Sequence, residues 1–139
     1  MKFTIVTLLA LNAAGVFASP AAKDVCGDLG VMEVDLSNLP EGVDPTKIRT
    51  CADHPSKLSS ENEENSPLLA KRDCWYGKTP GCSKDGWCYK SCGDAGSGQW
   101  CWAAENGGLG DWISCSSDSQ CSQNMACGKG NCDACGCSC

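Results

Sequence analysis

After residue 72 the 139-residue chain contains no valine and no phenylalanine, and its large aliphatic side chains there are Leu109, Ile113 and Met125 alone. An ordinary hydrophobic core is excluded for that part, because burial worth about 25 cal/mol per Å² has too little area to act on. Histidine is nearly absent as well. The single one, His54, precedes the dibasic pair Lys71-Arg72, so the C-terminal part lacks the imidazole of a Ser-His or Cys-His dyad. Beyond the first residues no apolar run is long enough to span a bilayer. Basic charge is scarce too: Lys78, Lys84, Lys90 and Lys129 stand against Asp73, Asp85, Asp94, Glu105, Asp111, Asp118 and Asp133, a net of −3 over residues 73–139. That balance argues against bulk attraction to anionic membranes or nucleic acid.

Cysteine is what the chain has in abundance. Cys26 and Cys51 lie early, and twelve more crowd the end: Cys74, Cys82, Cys88, Cys92, Cys101, Cys115, Cys121, Cys127, Cys132, Cys135, Cys137 and Cys139. Both groups are even, which predicts one disulfide early, Cys26 to Cys51, and six late, with none crossing residue 72. Twelve cysteines can pair in on the order of ten thousand ways, so the late connectivity stays open. Each bridge contributes roughly 2–4 kcal/mol by restricting the unfolded chain. The cystines are therefore expected to form the core, helped by Trp75, Trp87, Trp100, Trp102 and Trp112.

Three segments follow from the composition. Met1-Lys2, the apolar run Phe3 to Leu11, and Val16 and Ala18 before Ser19 read as a secretory signal peptide over 1–18. Residues 19–72 read as a propeptide ending in an acidic, flexible linker, Lys57 to Pro67, which is too polar to fold by itself. Lys71-Arg72 then stands where a kexin-type protease would cut, leaving a mature cysteine-rich domain over 73–139. The run Cys132-x-x-Cys135-x-Cys137-x-Cys139 would be a thiolate metal site in a reducing compartment. Export oxidises thiols, so no metal and no cofactor are expected.

The expected fold class is small, disulfide-rich α+β: a short helix plus a β-hairpin around a cystine core, with the N-terminal segments largely irregular. The helix is placed at Ser83 to Gly93, with Cys88 and Cys92 on one face. Gly98 to Ala104 and Asp111 to Cys115 read as hairpin strands around the turn Glu105 to Gly110. Cys115 to Ala126 reads as polar chain with a helical turn or two. Strand alternation puts Trp100 and Trp102 on the side away from Cys101, and a matching register adds Trp112. Three outward-facing indoles are a candidate binding patch. The turn acids Glu105 and Asp111 read as solvated, and His54 as an ordinary polar residue.

Cys88 and Cys92, the Gly98-x-x-Cys101 strand and the terminal Cys-x-Cys run resemble the cysteine-stabilised αβ scaffold of defensins and scorpion toxins. That resemblance implies bonds from the helical pair to two of Cys135, Cys137 and Cys139. A broader resemblance rests on Leu39 to Pro45, Arg49-Thr50-Cys51-Ala52-Asp53-His54-Pro55, Trp100-Cys101-Trp102 and Cys127 to Cys139. These stretches look like small secreted filamentous-fungal proteins, the incompatibility-induced and effector-like group, which implies a secreted virulence setting and no enzymatic activity.

The expected product is extracellular, monomeric and not an enzyme. It is a cysteine-rich effector or toxin-like ligand for a protein or cell-wall glycan of a host or neighbouring cell, without nucleic-acid binding or stable membrane insertion. A carbohydrate-binding or structural wall protein and a defensin-like antimicrobial peptide are the alternatives.

Overall fold

The computed structural model describes residues 20–56, 74–130 and 137. The expected signal peptide, the linker, Lys71-Arg72, and Cys132, Cys135 and Cys139 lie outside the described residues.

The N-terminal segment starts with α1 (Pro20–Cys26) and continues through tight turns. Two of these turns are capped by aspartates. Asp35 accepts from the Ser37 N–H at 2.9 Å, and Asp44 from the Thr46 N–H at 2.9 Å, just before Pro45. An aspartate followed by a pre-set proline φ is what local chemistry selects for such a start.

The second part is an antiparallel sheet in the order β1 (Gly81–Cys82), β2 (Cys88–Ser91), β3 (Trp100–Ala104), β4 (Ala126–Cys127). With α1 this makes a small disulfide-rich α+β fold, the expected class. The helix, however, is not where spacing put it. Residues 83–91 hold the turn and second strand of the β1–β2 hairpin: the Ser83 N–H donates to Trp87 O, Ser83 O accepts from the Gly86 N–H, and Gly86 sits at φ +81°. A separation of four places two cysteines on one face of a strand as well as a helix, so Cys88 and Cys92 could not discriminate. The left-handed glycine decides for the turn. Asp111 to Cys115 does return, but as isolated bridges rather than a full strand: Ala104–Trp112 pairs it with β3, and Trp87–Ser114 pairs it with the residue before β2. In the polar stretch that follows, a single 3-10 turn forms at Asp118–Gln120.

Register divides the sheet into two unlike faces. Cys82 opposes Cys88, Lys90 opposes Cys101, and Ala103 opposes Cys127, so these residues share one face. Gly81 opposes Tyr89, and Tyr89 opposes Trp102, so the aromatic rings share the other. On the cystine face Cys88, Ala103 and Cys121 form the buried cluster, with Cys82, Ile113, Cys115 and Met125 packed against it.

The bridges are Cys82–Cys115, Cys88–Cys121, Cys92–Cys137 and Cys101–Cys127, and Cys74 is also disulfide-bonded. Of the pairing implied by the toxin scaffold, only the Cys92 bond to the terminal run is present; Cys88 bonds Cys121 instead. Two sets of sulfurs, from Cys88, Cys115 and Cys121 and from Cys92, Cys101 and Cys127, lie close enough to hold an ion, but every one belongs to a disulfide and offers no thiolate. Cys26 bonds Cys51. These are the only cysteines before the dibasic pair, so no disulfide joins the two sides of it. Among the described residues no helix is long and apolar enough to cross a membrane.

Candidate recognition face and its cover

The aromatic face of the sheet is a chain of touching rings. Trp75 meets Tyr89 at 6.0 Å between centroids, Tyr89 meets Trp100 at 6.2 Å and Trp102 at 6.3 Å, and Trp100 meets Trp102 at 5.0 Å. All four contacts are edge-to-face, the geometry that the ring quadrupoles favour. Gly81 makes room for this row, since a Cβ there would stand 2.5 Å from the Tyr89 hydroxyl oxygen.

Trp100 and Trp102 thus share a side as strand parity required, and Trp112 joins the same cluster. They are not jointly exposed. Trp102 is 8% exposed, and Trp100 and Trp112 are half-buried. The cover comes from the segment that precedes the dibasic pair. His54 stacks flat on Trp102, 4.3 Å between centroids and 11° between planes. Its edges meet Trp112 at 4.8 Å and Trp87 at 5.3 Å. The ring is completely buried, so His54 is a plug among indoles rather than an ordinary polar residue. Ser56 fixes its orientation: the Ser56 N–H donates to Nδ1 at 3.1 Å, and the Ser56 hydroxyl lies 2.8 Å from the same nitrogen. Nδ1 is therefore an acceptor and the proton sits on Nε2. The serine–histidine contact is a local turn: the ring lies buried beneath the indoles and Ser56 is half-buried.

Arg49 is the second anchor. Its guanidinium lies 4.0 Å from the Trp112 ring centroid and donates into five carbonyls. Nε bonds Cys51 O at 3.1 Å; Nη1 bonds Gly108 O at 2.7 Å and Gly110 O at 3.0 Å; Nη2 bonds Ala52 O at 3.3 Å and Lys129 O. Five N–H groups meet five acceptors, so the buried cation leaves no donor unmet. Burial lowers its pKa to about 10, against the opposing pull of Asp111 and Asp53, so it stays charged at neutral pH. The acceptor loop is shaped by glycine. Gly108 sits at φ +93°, where a Cβ would overlap Cys127 O, and a Cβ at Gly128 would overlap the Trp112 ring. Asn106 completes the seam, accepting from the Asp44 N–H at 2.7 Å and donating to Asp44 O at 2.8 Å and Lys47 O at 3.2 Å. Glu105 and Asp111 are exposed beside it.

The uncovered end of the row is different. Trp75 is 46% and Tyr76 74% exposed, and they flank a groove of about 240 Å³ lined on its other side by Gly93 to Gln99. The sequence reading missed Arg49, His54, Tyr89 and this groove. One signal was available: the chain's only histidine and its only arginine outside the dibasic pair flank Cys51, five residues apart.

No family model, curated protein or solved structure matches this chain.

Proposed function

We propose that the chain is the precursor of a secreted recognition protein, an effector-like or toxin-like ligand, whose C-terminal part binds its target through the aromatic face of the sheet. One observation carries this reading: three indoles of a densely cross-linked unit, Trp87, Trp102 and Trp112, are covered by a segment that no disulfide ties to it. Dense disulfide bonding is typical of extracellular proteins. Cleavage at Lys71-Arg72 would then free the cover and bare Trp87, Trp102 and Trp112, the residue type most enriched in binding hot spots. Fungal origin and a host target follow from the resemblance alone. Catalysis has no support in the site, whose one imidazole is spent on packing.

The test has two readouts. Secreted through a pathway with a kexin-type protease, the protein is expected to yield a species whose N-terminus is Asp73; only chains starting near Ser19 would refute processing. The cleaved protein is then expected to bind a target cell surface, and Trp102→Ala to abolish that binding without loss of fold. A second reading, binding of wall glycans, is favoured by exposed Trp75 and Tyr76 beside the groove, since sugars stack on such rings. Retention on chitin, cellulose or glucan, lost in Trp75→Ala, would select it.

A further inference from the structure

We infer that the loop holding Arg49 is a guanidinium-binding site of the C-terminal unit, occupied here by the arginine of the segment before the dibasic pair (the leader) and suited to an arginine side chain presented by another polypeptide. The inference rests on the reading that the leader is removable and names the ligand class for the face it uncovers.

Three of the five acceptors, Gly108 O, Gly110 O and Lys129 O, belong to the C-terminal unit, as does the Trp112 ring. They are set by that unit's own backbone: Lys129 N donates to Gly108 O at 2.8 Å, and Gly128 N to Trp102 O at 2.8 Å. The Leu109 carbonyl adds a bond from the Arg49 backbone N–H at 2.9 Å, so the site reads main chain as well as side chain. Asp111 contributes the complementary charge. A planar fork of donors over an indole selects guanidinium; an ammonium has three donors and no flat face to lay on the ring. Residues 73–139 contain no arginine, so the unit cannot fill this site by itself. His54, five residues on, then sets a second requirement, a flat ring to lie on Trp102.

The decisive experiment uses the wild-type chain, cut in solution after Arg72 and kept oxidised. A peptide of residues 43–56 with Cys51→Ser is titrated against it, and loss of the leader fragment is followed by native mass spectrometry. Displacement is expected, with the same peptide carrying Arg49→Lys needing at least ~10-fold higher concentration. If the fragment leaves on cutting, the two peptides are titrated directly and the same ratio decides. Equal potency of the two peptides, or no binding of either, overturns the inference. As a second arm, the uncut Arg49→Ala chain should gain thermal stability from millimolar ethylguanidinium and not from ethylammonium; an equal response to both counts against it. A variant that fails to fold leaves the decision to the first arm. Because the cut is made in solution, a chain never processed during secretion would refute the proposed function and leave this site standing.

Discussion

The regions before and after the dibasic pair are held in place by opposite means. Residues 74–130 are pinned by disulfides linking positions 26 to 45 apart, around a core that is mostly sulfur and alanine. Residues 20–56 carry one disulfide of their own and meet the other unit through a histidine, an arginine, an asparagine and backbone bonds. Covalent restraint makes a unit that persists; non-covalent burial makes a joint that can open. The same chain uses the first where aliphatic residues are missing and the second between the two regions.

The harshest way to break the contrast is reduction. With so little apolar area to bury, the reduced and alkylated chain is expected to unfold outright, read as loss of far- and near-ultraviolet circular dichroism. Native-like spectra after reduction would mean that side-chain packing, not the cystines, carries the fold. The plug comes next. His54→Ala would leave a void beneath three indoles and weaken attachment of the cut leader by about 2–4 kcal/mol, measured as the change in its dissociation constant, while the disulfides stay intact. A small effect would mean that Arg49, Asn106 and the backbone bonds hold the joint without the plug.

The pair of faces was partly legible in the residues. Cystine core, hairpin turn at Glu105 to Gly110 and the common side of Trp100 and Trp102 all follow from composition and a period of two. The hairpin over 81–91 did not, because spacing four serves both periodicities and Gly93, left-handed at φ +75°, could equally follow a helix end. The cover over Trp102 did not either. It joins positions more than forty residues apart, and nothing local in Arg49 or His54 says which distant rings they meet.

Two milder perturbations sharpen the contrast. Gly128→Ala forces a methyl into the Trp112 ring and is expected to destabilise the full chain by about 1–3 kcal/mol in chemical denaturation, without altering the disulfide map. The smallest effect is electrostatic. Asp118 accepts from the Cys82 N–H at 2.9 Å and pairs with Lys78 at 3.3 Å, which lowers its pKa below the usual carboxylate value of about 3.9. Its contribution is present above that value and lost as pH falls through the lower, folded-state pKa. A carboxyl resonance titrating at or above the usual value would remove that contact from the account.

The bond from Arg49 to Lys129 spans 80 residues, and this distance has a consequence in time. At a synthesis rate of ~5–20 residues per second, the arginine precedes its last acceptor by roughly 4–16 s. Cys26 and Cys51 are only 25 positions apart, so their loop can close within that interval. Arg49 and His54, by contrast, have no partners in the C-terminal unit until residues 87–129 have been made. Lys129, the acceptor made last, completes the set of five carbonyls around the guanidinium, so the joint between the two regions closes only once residue 129 is in place.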